Sequence, residues 1–297
     1  MLLTSPTLRA QIEPAWGGGL VRFDGYSQGR WQPLMRAVDP ALLLAGVAPD
    51  PNRLACYPLV PWSNRISGGG FELDGRRIEV PLTRDDEPWP IHGTGWRRPW
   101  RVTHSDDNEA MLAFDEESFG PYRYHATLHY LVRGNVLYVV LDVINTGAEP
   151  MPFGLGLHPF FPRDADTRLH APARKVWRND GATPLPIKLG AIPKDWRFDE
   201  ARALPGDCID HGFVDWSGEA RIHWPSRGIS LDIHTDVDRF VMYTPVGADF
   251  FCFEPVDHAI DAVNLPGGAV DHGMTLLEPG ESLQRRFSFT LDEDASG

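Results

Sequence analysis

The chain of 297 residues is 42% hydrophobic, enough for a large buried core, and its 41 acidic against 28 basic side chains leave a formal charge of −13. That charge repels a phosphate backbone and argues against general nucleic-acid binding, and no apolar run approaches the ~18 residues needed to span a bilayer. The 29 Gly and 27 Pro are spread along the whole chain rather than pooled in a linker, so long helices have little room and one domain over 1–297 is expected.

Residues 1–19 lack a basic start followed by an apolar stretch, so no export signal is read and a cytoplasmic location is expected. Apolar or alternating runs bounded by Gly, Pro, Asn or Asp predict strands at 8–12, 20–23, 77–82, 111–114, 124–132 and 136–144. The last two, joined across Arg133-Gly134-Asn135, read as a long hairpin in which Gly or Asn supplies the positive φ of the turn. Residues 162–207 are less regular and are expected to form long loops over one face, the kind of segment that often carries binding residues. Further strands are predicted at 220–224, 229–234, 240–243, 250–253 and 283–291, with a polar, Gly-rich loop between the last two. Residues 292–297 read as a short tail. Helical periodicity is almost absent. About seventeen strands are too many for one flat sheet, which predicts an all-β protein built as a large antiparallel β-sandwich.

Cys56, Cys208 and Cys252 are widely spaced and form neither a disulfide framework nor a CxxC pattern, which fits a reducing compartment. The 11 histidines fall into no HxH, HExxH or cysteine-paired spacing, so neither a metal nor another cofactor is expected.

Two segments stand out for chemistry. Pro152-Phe153-Gly154-Leu155-Gly156-Leu157-His158-Pro159-Phe160-Phe161 sets one imidazole at the end of an apolar, Gly-rich run, where backbone can approach a ligand closely. Phe250-Phe251-Cys252-Phe253-Glu254-Pro255 places a carboxylate at the end of an apolar strand, where desolvation raises its pKa toward that of a general base. His158 is the candidate acid and Glu254 the candidate base. The plainer alternatives are a satisfied structural His and a Glu paired with an Arg.

These two segments join others in a pattern. Pro61-Trp62-Ser63-Asn64-Arg65-Ile66 running on to Gly75, Ile91-His92-Gly93-Thr94-Gly95-Trp96 with Trp100 beyond it, GLGLHPFF around His158 and CFEP around Glu254 together resemble, in order, the motifs of the aldose 1-epimerase (galactose mutarotase-like) family. Ile209-Asp210-His211-Gly212-Phe213 is similar to that family's DH.F element. Thr94 departs from the pattern, standing where many members have a second Gly, and the stretch after Pro162 is hard to match.

The resemblance implies the galactose mutarotase-like supersandwich with a shallow, open cleft. Arg65 with Asn64 beside it, His92 and Asp210 would bind the sugar. Beside these motifs, the rings of Trp62, Trp89 and Trp96 could lie against its C–H face, with core packing the plainer role of each. It also implies mutarotation of a free aldose. Glu254 takes the proton of the anomeric hydroxyl while His158 protonates the ring oxygen; the ring opens, C1–C2 rotates, and reclosure gives the other anomer. The implied partner is a small-molecule sugar, bound by a monomer or homodimer without a cofactor. Arg97 and Arg98, beside the His92 block, offer an anion site as in the related hexose-6-phosphate 1-epimerases. A noncatalytic carbohydrate-binding sandwich would keep the cleft without the chemistry. A glycosidase would use Glu254 with Asp210, and the His158 block speaks against it.

Overall fold

A computed structural model describes residues 1–46 and 48–293. Among them are 24 strands, more than expected, because many of the additional ones span only two to four residues and are too short to show a period. The predicted hairpin is present as Tyr122–Arg133 and Val136–Asn145, with Arg133 opposite Val136. Gly134 supplies the positive φ of the turn, 60°, and Asn135 does not. Nothing lies within 4 Å of where a Gly134 Cβ would stand, so a Gly134→Ala change meets only backbone strain. It is expected to lower stability by about 1–2 kcal/mol, read by denaturant unfolding, with activity unchanged.

The strands form an eleven-stranded and a nine-stranded sheet, built of antiparallel ladders, plus two two-stranded ribbons. The two large sheets face each other across one apolar core. Phe23 of one meets Phe289 of the other edge to face at 6.3 Å, the Tyr130 hydroxyl donates to Gly18 O at 3.0 Å, and the Trp224 indole donates to Pro162 O at 2.9 Å. In Tyr122–Arg133 burial alternates strictly, so its even-numbered side chains fill the core and its odd-numbered ones are partly exposed.

The middle of the larger sheet is different, and that difference creates the site. Gly156–Pro162 is buried throughout and Phe250–Val256 almost throughout. Leu157, Phe161, Phe251 and Phe253 point into the shared core, whereas Tyr57, Phe160, Val241, Cys252 and Val256 belong to a second apolar cluster on the outer face. His158 and Glu254 have the parity of that outer face. Both therefore lie within strands rather than at strand ends.

Residues 163–207 do not form long loops over one face. Arg168–His170 and Arg202–Ala203 extend one edge of the nine-stranded sheet, and Lys175–Arg178 and Lys188–Ala191 extend an edge of the other. Their polar, Pro-broken sequence suits edge strands, which need bury little. The predicted tail overlaps the last strand, Ser282–Glu293, and its remainder, 294–297, lies outside the described residues. No helix among the described residues is long and apolar enough to cross a membrane. Cys56 and Cys252 are buried free thiols and Cys208 is an exposed one.

Candidate active site

Strand register assembles the center of the site. Gly156 pairs with Val256 and Phe160 with Cys252, so His158 and Glu254 fall opposite each other on adjacent strands. Tyr57 of Cys56–Leu59 is the partner of His158 on its other side, and Val241 of Arg239–Tyr243 is the partner of Glu254. One row across the sheet thus carries the imidazole and the carboxyl, with His158 Nε2 3.3 Å from Glu254 Oε1.

The two groups are 7% and 2% exposed, so burial dominates their ionization. Burial pushes Glu254 well above the usual carboxylate range; the nearby Asp210 charge adds to this and Arg65 opposes it. Burial also pushes His158 down to about 3, and the Arg36 charge acts in the same direction.

The His158 ring is held in a stack, 4.6 Å from the Tyr57 ring and 4.7 Å from Phe160. The Arg36 guanidinium lies 4.1 Å from the Phe160 centroid and 4.5 Å from that of Phe250. The imidazole therefore has little freedom to turn.

His92 and Asn64 lock one another. The His92 N–H donates to Asn64 O at 2.9 Å, and the Asn64 N–H donates to His92 Nδ1 at 3.0 Å, each residue at a positive φ. Because Nδ1 accepts, the neutral ring carries its proton on Nε2 and presents a donor. Burial holds the His92 pKa well below its usual value, with the His158 charge acting in the same direction, so the ring stays neutral.

Arg65 donates from Nε and Nη2 to both oxygens of Glu87, at 3.0 and 2.9 Å, and its Nη1 faces Asn64 Oδ1 at 3.5 Å. It is thus a paired arginine that still lines the cleft. Asp210 opens the strand Asp210–Val214, and burial raises its pKa against the pull of Arg65.

All seven candidates, Asn64, Arg65, His92, Trp96, His158, Asp210 and Glu254, line one cleft of about 390 Å³, within the ~300–1,000 Å³ of typical ligand sites. Trp96 is 1% exposed with its indole N–H spent on Gly93 O at 3.0 Å, so it backs the Tyr57 and His92 rings and offers a ligand little surface. Trp62 packs on Phe119 and Tyr122, and neither it nor Trp89 lines the cleft. Arg97 and Arg98 do not line it either.

Sequence reasoning missed Asn52, Arg84, Glu87 and Tyr243 of the lining; the first three belong to no periodic or motif signal, and Tyr243 ends a predicted strand whose pattern does not show that it borders the cleft. It also missed the pair that anchors the site. The His258 ring accepts from the Ser63 N–H at 2.9 Å and donates to Ala259 O at 2.8 Å, while Asp257 accepts from Leu155 N and from Arg285 Nε. Together they tie the Asn64 loop and the His158 strand to the end of the Glu254 strand. Gly154 permits this approach, since a Cβ there would meet His258 Cδ2 at 2.0 Å. Finally, spacing rules find no metal motif, yet the fold gathers one donor atom each of His158, Cys252 and Glu254 within 4.8 Å of one another. Such rules detect only ligands near in the chain.

Comparison with known proteins identifies the family. The model of the aldose 1-epimerase family matches residues 12–290. The uncharacterized protein YphB of Escherichia coli K12 is 32% identical over 278 residues, spanning 90% of this chain and 93% of that protein. A solved Escherichia coli K12 structure described as a candidate aldose 1-epimerase superposes with a TM-score of 0.87 at 29% identity, covering 98% of both chains. A GalM/aldose epimerase homologue from C. elegans shares the fold with a TM-score of 0.84 at 16% identity over 99% of each chain. This chain belongs to the aldose 1-epimerase family.

Proposed function

We propose that the chain interconverts the α and β anomers of a free, uncharged aldose, with Glu254 and His158 as the proton-transfer pair. The observation that carries this reading is the 3.3 Å separation of His158 Nε2 and Glu254 Oε1 on the cleft floor. The anomeric hydroxyl and the ring oxygen are both bonded to C1, so the groups that deprotonate one and protonate the other must also be neighbors. Glu254 takes the C1 hydroxyl proton, His158 gives one to the ring oxygen, and the roles reverse on closure.

Proton bookkeeping on the pair is consistent with this. Burial favors the neutral form of each group, a protonated Glu254 and a neutral His158. The working form, carboxylate and imidazolium, carries the same single proton and the same net charge. Moving that proton across the pair costs less than ionizing either group alone. Arg65, which favors the Glu254 carboxylate, assists the transfer.

The cleft charges favor a free sugar over a sugar phosphate. Its arginines are committed, Arg65 to Glu87 and Arg84 to Asp50 and Asp86, and Asp210 adds further negative charge. His92 Nε2–H, Asp210 and the amide of Asn64 are left for hydroxyls. NMR magnetization exchange across free and phosphorylated aldoses tests this, with faster anomer exchange expected only for free sugars.

The pH profile gives a second test. Activity needs one proton on the pair, so the alkaline limb marks its loss from the raised Glu254. Asp210 holds that proton on and Arg65 drives it off. Asp210→Asn is therefore expected to move the alkaline limb of kcat/KM to lower pH, and Arg65→Met to move it higher. Shifts of the opposite sign would exclude Glu254 as the titrating group.

A further inference from the structure

Beneath the cleft lies a buried group that anomer exchange does not use. Cys252 precedes Glu254 by two positions on one strand, so both project from the same face, and it pairs across to Phe160, two residues from His158. One donor atom from each of His158, Cys252 and Glu254 lies within 4.8 Å of the other two, and all three residues are buried. Glu254 Oε2 is buried without a hydrogen-bond partner among the described residues. A carboxyl, an imidazole and a thiol meeting in one buried spot form an N, O, S donor set.

We propose that His158, Cys252 and Glu254 bind a borderline-soft divalent cation of the zinc class, and that its binding inhibits the enzyme. Such an ion takes imidazole at ~2.0–2.1 Å, carboxylate at ~2.0–2.2 Å and thiolate at ~2.3 Å, usually in a tetrahedron. Ligand atoms in that tetrahedron stand about 3.3–3.7 Å apart by those bond lengths. The 3.3 Å His158–Glu254 edge already fits, and Cys252 Sγ has to close by at most about 1.5 Å, within reach of a side-chain rotation.

Charge supports the same conclusion. Burial disfavors the ionized form of each of the three groups taken singly. A divalent cation that displaces the carboxyl and thiol protons leaves a cluster of zero net charge, with two protons released to solvent. His158 and Glu254 line the cleft, which gives an ion an entry path. Binding stands on this geometry alone; inhibition also rests on the proton-transfer roles given above, since the ion occupies both groups.

The experiment uses the full chain with Cys208→Ser throughout, because Cys208 is an exposed competing thiol. Co²⁺ serves as the spectroscopic probe. Titration is expected to produce a thiolate-to-cobalt charge-transfer band that Zn²⁺ displaces, and that is lost in Cys252→Ala and in Cys252→Ser, either of which suffices if folded. Removing this ligand is also expected to weaken Zn²⁺ inhibition of anomer exchange by at least about tenfold while leaving the uninhibited rate unchanged. Absence of the band in the parent chain, or its persistence in the Cys252 variants, overturns the site. A chain that gives the band but exchanges no anomers would refute the proposed function and leave the metal site standing.

Discussion

Replacing Glu254 with Gln, or His158 with Asn, is expected to lower kcat/KM for anomer exchange by about 10²–10⁴-fold each, the range that a positioned proton-transfer group contributes. Gln keeps the shape of Glu254 and matches the neutral form that burial favors. It cannot accept the C1 proton. Asn in place of His158 keeps a polar group between Tyr57 and Phe160 but cannot hold a transferable proton at neutral pH. The pair exchanges one proton across 3.3 Å, so the double variant is expected to be little worse than either single one. Polarimetry on freshly dissolved α-glucose or α-galactose, corrected for the spontaneous rate, reads the loss. Thermal unfolding checks that the variants remain folded. A folded Glu254→Gln protein that equilibrates anomers within about threefold of the parent would remove Glu254 from the mechanism, because such a loss is far below the general acid–base range.

Gly93→Ala is expected to lower stability strongly. Gly93 sits at φ 63°, and a Cβ there would lie 2.3 Å from both Val60 O and Pro61 Cδ. Left-handed strain costs about 1–2 kcal/mol and forced overpacking about 1–3, so a loss on the order of 2–5 kcal/mol is expected, a large part of a typical 5–15. Most of the obstacle is backbone, which cannot rotate away. Gly93 also bridges to Val60, and its neighbor His92 is locked to Asn64, so relief of the clash shifts both cleft-lining residues. KM is expected to rise along with the fall in stability. The control is Gly134→Ala, which has the same sign of φ and open space around it. Equal unfolding midpoints for the two variants would show that packing at the Val60–Pro61 turn is not what requires glycine.

The parts of the fold that were legible share one physical property. Tyr122–Arg133 and Val136–Asn145 each put one face on the core and one toward water, so their alternation is written in the residues and Gly134 marks the turn. Gly156–Pro162 has no such contrast, because the outer face of its strand is covered by the site, and it reads only as an apolar run. The short edge strands between 163 and 207 bury too little to leave a pattern.

For the site, local sequence determined which groups are capable of the chemistry: an imidazole in GLGLHPFF, a carboxyl in CFEP, an arginine after Asn64 and a histidine before Gly93. Their chemical type and apolar surroundings are properties of a few adjacent residues. The tertiary structure alone decided that Glu87 binds Arg65, that Arg36 backs the His158 stack through Phe160, that Asp257 and His258 fasten three segments together, and that Cys252 stands beside the reacting pair. Each of those contacts depends on the register between strands far apart in the chain or on loops folded over them. Register is set by the burial of two whole sheet faces, and a shift of one residue would turn His158 and Glu254 into the core.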